Sequence, residues 1–262
     1  MSLGASNLTV RERLDQVSVL CRRGVVTAIC GPNGAGKSTL MSCLAGLLRP
    51  DVGDVLLGGR PLSRVSTAQK AQWIGYLPQA PQVAWDVSVE VLVSLGRLPW
   101  RGAPAGETQA AIDEAIVAMD LEDLRHRPIS RLSGGERARA LMARVLATQP
   151  GWVLADEPFA NLDLAHAAAL MRRFRQQAKA GRGVVLVLHD LATVMNHADQ
   201  VLVLKNGRVH AEGPPEIALA SNVIHRVWNC PARWLGEPGE RALSLGRPGP
   251  VAIDPRSGRA FE

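Results

Sequence analysis

An α/β fold, with a mainly parallel sheet covered by helices on both faces and an α-helical subdomain inserted into it, follows from three features of the sequence. Short apolar, β-branched runs (25–30, 152–155, 184–189) alternate with segments whose apolar residues recur every three or four positions, the pattern of strand–helix–strand units. Those runs are apolar throughout rather than alternating, as strands buried on both faces are. Between about 85 and 150 strand character gives way to helical periodicity.

Each element has its own justification. The run VVTAIC (25–30) reads as a buried strand, and a glycine-rich turn leads from it into a helix beginning at Lys37, with Leu40, Met41, Leu44 and Leu47 on one face. DVLLGGRPL (54–62) and WIGYL (73–77) read as short strands around turns. In the helical block, Ile112, Ala115, Ile116 and Met119 form one apolar face. A second helix there starts at LSGGERARA (132–140): Ser133 followed by Glu136 is a capping box, and Ala138, Leu141, Met142, Val145 and Leu146 continue at helical spacing. WVLA (152–155) and VVLVLH (184–189) read as strands, with a helix at 164–180 between them. VLVLKNGRVHAEG (201–213) reads as a hairpin turning at Asn206–Gly207. From Pro231 onward the chain is rich in Pro and Gly and is expected to be a loosely packed appendage. The expected organisation is one domain over 1–230, with its helical subdomain at about 85–150, and a tail over 231–262. There is no internal repeat.

Composition narrows the classes. With 262 residues, 47% of them hydrophobic, the chain can bury a sizeable core. No apolar run reaches the roughly 18 residues of a membrane span, and the N-terminus lacks the apolar stretch of a signal peptide. The expectation is a cytoplasmic protein unless a partner holds it at a membrane. Cys21, Cys30, Cys43 and Cys230 form no CxxC pair, which argues against zinc and for small buried hydrophobes. The net charge of +6 contains no Lys/Arg run of the kind that grips nucleic acid.

Four kinds of stretch carry chemistry. GPNGAGKST (31–39) follows a strand and opens a helix, the context a P-loop needs. Gly31, Pro32, Asn33, Gly34, Ala35 and Gly36 make a turn whose N–H groups wrap phosphates; Lys37 reaches the outer phosphates, and the hydroxyls of Ser38 and Thr39 follow, Ser38 placed for Mg²⁺. WVLADEP (152–158) ends an apolar strand in adjacent carboxylates, and strand alternation points Asp156 and Glu157 differently. One suits Mg²⁺, the other the polarisation of an attacking water. His189 and Gln79 also end apolar strands, and strand C-termini line the ligand crevice of a parallel sheet. The fourth stretch, Leu132, Ser133, Gly134, Gly135 and Glu136, opens a helix whose free N–H groups form a second anion cradle.

Assembled, these residues resemble the ATP-binding subunits of ABC transporters over roughly 7–228. GPNGAGKST resembles Walker A, WVLADEP Walker B, LSGGE the signature, Gln79 the Q-loop, ANLD (160–163) with Asp163 the D-loop, and His189 the switch histidine. The resemblance implies a P-loop NTPase core that binds ATP and Mg²⁺. It implies Glu157 as general base, His189 and Gln79 as catalytic partners, and Ser38, Gln79 and Asp156 as metal ligands. It further implies a head-to-tail dimer with a second copy, each ATP lying between one copy's P-loop and the other's signature, which gives the two cradles two different nucleotides. VEVLVSLGRLPWRG (89–102), LDLAHAAALM (162–171) and residues 213–235 are similar to importers of iron-siderophores, haem or cobalamin. That group implies a peripheral subunit on the cytoplasmic face of the inner membrane, under transmembrane permease subunits and, indirectly, an extracytoplasmic substrate-binding protein.

Three alternatives share the motifs: an importer of a different substrate, a soluble ATPase of another process such as cluster assembly, and a regulatory subunit that binds ATP without cleaving it. The sequence departs from the family in lacking an aromatic residue before Walker A to stack on adenine; Arg11 or Arg13 is expected to do so instead. Of Trp85, Val89, Leu92 and Trp100, some are expected to face the permease and the rest to be local core.

Overall fold

A computed structural model of the protein describes residues 2–80, 85–160 and 162–246. Asn161 of the D-loop and the tail beyond 246 lie outside the described residues. In chain order come β1 (Leu3–Val10), β2 (Leu14–Cys21), β3 (Val26–Cys30), α1 (Lys37–Leu44), β4 (Val52–Leu57), β5 (Arg60–Pro61), α2 (Thr67–Trp73) and β6 (Ile74–Leu77). The middle is helical: α3 (Val89–Ser94), a 3-10 turn (Leu95–Trp100), α4 (Ala105–Ala118) and α5 (Gly134–Ala147). Then follow β7 (Trp152–Asp156), α6 (Leu164–Lys179), β8 (Gly183–Val187), α7 (Leu191–His197), β9 (Gln200–Lys205), β10 (Arg208–Gly213), α8 (Pro215–Ala218), α9 (Ser221–Trp228), β11 (Ala232–Leu235) and β12 (Ala242–Leu245).

The main sheet has six strands in the order β10-β9-β3-β8-β7-β6. All its pairings are parallel except β9 with β10. Its central strands β3, β7 and β8 are buried on both faces, which is why they carry no polar alternation. Val184 and Leu186 of β8 join the core beneath the helical block, while Val185 and Val187 join the core around α1. β9 divides the same way, Val201 and Val203 against Leu202 and Leu204. The hairpin β9–β10 turns where Asn206 and Gly207 stand at φ 49° and 75°, the two positive values that a tight primed turn demands.

A second, four-stranded antiparallel sheet in the order β2-β1-β4-β5 covers α1 and contains the short strands read at 54–62. Two sequence expectations are corrected. Leu47 is 68% exposed; the helix ends at Leu44, and Gly46 at φ 71° turns the chain away before Leu47 can join its face. The tail up to residue 246 is not loose. β11 and β12 form an antiparallel pair, with Trp234 and Leu243 packed on the core. Trp234 Nε1 donates to the Leu219 carbonyl at 2.8 Å, and Asn196 exchanges two 2.8 Å bonds with the backbone of Arg241. Two of its Gly residues belong to the turn between strands: Gly236 and Gly239 have φ of 88° and 93°.

The helical block is welded to itself through Arg97. Its side chain is 7% exposed. The guanidinium donates to the Ala147 carbonyl at 2.9 Å, at the C-terminal end of α5, and stacks over Trp100 at 5.3 Å. Trp100 Nε1 donates to the Thr148 carbonyl at 2.8 Å, and the Thr148 hydroxyl donates to the Gly96 carbonyl at 3.1 Å. A cation at a helix C-terminus meets the negative end of the dipole. Losing a buried charged bond and the stacking together should cost about 2–3 kcal/mol in Arg97→Ala, a fall of roughly 5–10 °C in melting temperature. Arg97→Lys should recover less than half, because lysine has no planar fork to stack. Thermal unfolding followed by circular dichroism checks both.

Candidate functional site

The P-loop is shaped by two close approaches. Gly31, at φ 147°, lies against β9, where a β-carbon would stand 2.2 Å from the Leu204 carbonyl oxygen. Gly36, at φ 96°, lies against the β1–β2 turn, where a β-carbon would stand 2.6 Å from the Arg13 carbonyl oxygen. The β9–β10 turn props the loop from the other side, with Gly207 N–H donating to the Ala35 carbonyl at 3.2 Å. Held in this way, the loop turns Lys37 inward, 6% exposed, and its Nζ donates to the carbonyls of Gly31 and Pro32 at 2.9 Å each. Burial pushes the Lys37 ammonium below its usual range, against the attraction of Glu157.

Three strand ends, of β6, β7 and β8, bring the remaining chemistry to the mouth of this loop. A cleft of about 600 Å³ is lined by residues 33–39 together with Arg13, Gln79, Glu157 and His189. The Glu157 carboxylate is held at both oxygens: Gln79 Nε2 donates to Oε2 at 2.8 Å, and His189 Nε2 lies 2.5 Å from Oε1, a donor in the tautomer that carries its proton there. Glu157 has φ 51°, unusual for a residue with a side chain. Its N–H donates to the Val187 carbonyl of β8 at 3.1 Å, so the neighbouring strand fixes this strained turn. Such strain collects at functional sites.

Asp156 ends β7 with its side chain on the other side of the strand, 3% exposed. Burial raises the pKa of its carboxyl, offset in part by a hydrogen bond with Ser38. Its Oδ1 is buried without any partner. A buried carboxylate oxygen left unpaired beside a hydroxyl is a set of hard oxygen donors, and this fits Mg²⁺, which takes one or two protein ligands and completes its shell with phosphates and water. No group of three or more His, Cys, Asp or Glu with metal spacing occurs among the described residues, so any such ion would depend on the nucleotide for further ligands.

The predicted residues thus divide into two places. Lys37, Ser38, Thr39, Gln79, Asp156, Glu157 and His189 come together. Leu132 to Glu136 and Asp163 do not line the cleft. Ser133 caps α5 by a full capping box: its hydroxyl accepts from Glu136 N–H at 3.3 Å, and the Glu136 carboxylate accepts from Ser133 N–H at 2.7 Å. That bond holds the Glu136 carboxyl below its usual range. Asp163 caps α6, accepting from His166 N–H at 2.8 Å. Of the two arginines expected near adenine, Arg13 lines the cleft, whereas the Arg11 N–H donates to Asp51 at 2.8 Å. Cys21 and Cys30 are buried, their thiols pushed up to about 12, and Cys43, also buried, to about 11.

Of the residues expected to divide between permease and core, Val89 and Leu92 are fully buried core. Trp100 is tied to α5, and Trp85 is 75% exposed. Sequence reasoning missed the exposed apolar stripe of the same segment, Val91, Leu95 and Leu98. Their spacing of four and three residues was legible; which face of the helix is buried was not.

Residues 14–160 match the family model described as ABC transporter. The chain is 43% identical to the Hemin import ATP-binding protein HmuV of Streptomyces coelicolor over 234 residues, covering 89% of this chain and 84% of that protein. It is 34% identical to the Petrobactin import ATP-binding protein YclP of Bacillus subtilis, covering 82% and 86%. Among solved structures, a dimeric post-hydrolysis state of an ATP-binding cassette bound to ADP and Pi superimposes with a TM-score of 0.72 at 26% identity, covering 81% of this chain and 98% of that one.

Proposed function

The chain belongs to the ABC transporter family as an ATP-binding, ATP-hydrolysing subunit, and from that premise we propose that it powers the import of haem or a closely related iron chelate. The observation that carries the catalytic half of this reading is the Glu157 carboxylate gripped by Gln79 and His189 at the mouth of the P-loop. It also argues against a subunit that binds ATP without cleaving it. Resemblance to relatives named for hemin and petrobactin import supports the substrate class.

In this reading the P-loop N–H groups and Lys37 bind the outer phosphates of ATP. Ser38, Asp156 and Gln79 would hold Mg²⁺, which would supply charge to neutralise the phosphates. Glu157 takes the proton of the attacking water, and His189 orients the carboxylate and steadies charge on the phosphate. Leu132 to Glu136 and Asp163, outside the cleft, serve the ATP of a second copy in a head-to-tail dimer. No helix among the described residues is long and apolar enough to cross a membrane, so membrane attachment would come from permease subunits, seated on the stripe of Val91, Leu95 and Leu98. Exposed apolar patches mark such contacts. The subunit then lies peripherally on the cytoplasmic face, with the extracytoplasmic binding protein reached only through the permease. Residues 1–230 form the cassette, with 85–150 as its helical subdomain.

Reconstitution with the permease and binding protein tests the assignment. ATP hydrolysis should rise several-fold when the binding protein carries haem. Stimulation by another solute and none by haem or a ferric chelate would refute it.

Arg13 lines the cleft, which supports its guanidinium as the group that stacks on adenine. Stacking contributes about 0.5–2 kcal/mol, so Arg13→Ala should weaken ATP binding by roughly 2- to 30-fold, and Arg11→Ala should leave it unchanged. Calorimetric titration with ATP reads both.

A further inference from the structure

Gly135 is glycine for a reason unrelated to backbone freedom. It is absent from the residues with positive φ and stands in the first turn of α5, where any side chain is conformationally acceptable. What a side chain there would collide with is the ring of His166. A β-carbon on Gly135 would stand 2.2 Å from Cδ2, 2.5 Å from Cγ and 2.8 Å from Nε2 of that ring. The ring is fixed at its other nitrogen, with Nδ1 2.7 Å from Asp163 Oδ1, the oxygen that also accepts the His166 N–H at 2.8 Å. One imidazole therefore spans from the D-loop carboxylate to the turn of the signature motif. It does not line the P-loop cleft.

We propose that His166 is a positioning residue that locks Asp163 and the signature turn into a single preformed half-site for the ATP carried by the partner copy. This rests on the head-to-tail reading above. Without the ring, Asp163 still caps α6 and Ser133 still caps α5, but the direct bridge between the two caps is gone and only the packing of α5 on α6 relates them. Closing the dimer must then order them at the moment of contact, and preorganisation is lost. ATP binding to the copy's own P-loop is untouched.

The test uses the full chain carrying Glu157→Gln, with ATP and Mg²⁺, and reads the ATP concentration at half-maximal dimerisation beside the ATP affinity of the monomer. Adding His166→Ala should raise the dimerisation midpoint tenfold or more at unchanged monomer affinity. His166→Asn, which keeps a nitrogen donor near the position of Nδ1, should recover most of that loss. Gly135→Ala should cost less in the His166→Ala background than with His166 present, because the ring it collides with is gone. This compensation would not arise from a general loss of stability. An unchanged midpoint in His166→Ala, an asparagine no better than alanine, or additive losses from Gly135→Ala and His166→Ala would each overturn the proposal while leaving the head-to-tail reading intact. A Glu157→Gln parent that stays monomeric with ATP would overturn that reading, and the proposal with it.

Discussion

Glu157→Gln should lower kcat for ATP hydrolysis by roughly 10²- to 10⁴-fold, the usual contribution of a general base, while ATP still binds. The substitution keeps the size and planarity of the side chain. Its amide oxygen can still accept from Gln79 or His189, so the turn at φ 51° remains supported. It removes the negative charge that takes a proton from water. The phosphate-binding half, Lys37 and the loop N–H groups, is unaltered, and Lys37 is already bonded to Gly31 and Pro32 carbonyls rather than to Glu157. ATP affinity should therefore fall by less than threefold, or rise, since a carboxylate that repels phosphate has gone. Single-turnover phosphate release measures the first quantity and calorimetry the second. A mutant that hydrolyses ATP within tenfold of the parent rate would show that Glu157 is not the base.

Because cleavage is blocked, the same variant should hold an ATP-bound dimer, eluting near twice the monomer mass with ATP and Mg²⁺. Adding Ser133→Arg should abolish that dimer. Ser133 is exposed at the start of α5, where an anion would meet the N–H groups of the first turn, and a long side chain there obstructs the approach. The change also removes the cap, at a cost of about 0.5–2 kcal/mol. Ser133→Ala removes the cap alone and isolates that cost. The expected order is a dimer for Glu157→Gln, a weakened dimer with Ser133→Ala added, and a monomer with Ser133→Arg added, all three binding ATP at the P-loop. A dimer that survives Ser133→Arg would mean that the signature does not face the partner's nucleotide.

The chemistry of this protein was legible in the sequence because it resides in local patterns. The glycines and Lys37 of the P-loop, the carboxylate pair at the end of β7, the capping box at Ser133 and the Asn206–Gly207 turn each need only neighbours within a few residues, and local geometry is what residue order encodes. The central strands were legible for a related reason: burial on both faces makes them apolar throughout, and this survives whatever partners they take. β1 and β2 were not read, although Leu14, Val17, Val19 and Cys21 are buried in β2. Positive φ at Asn7 and Gln16 and shifts in the strand register break the alternation of period two on which recognition depends.

Only the tertiary structure decided questions that turn on distance between remote residues. The ladder between β7 and β8, and the β6–β7 pairing, bring Gln79, Glu157 and His189 from three separate strand ends to one carboxylate. The same packing excludes Arg11 from the cleft and admits Arg13, two residues along the same turn. It buries Val89 and Leu92 and exposes Val91, because a helix with apolar residues on several sides does not announce which side has a neighbour. Gly135 is the sharpest instance. The sequence marks it as a glycine in an anion cradle; that a β-carbon there would also meet an imidazole from another helix is a steric fact that no local pattern records.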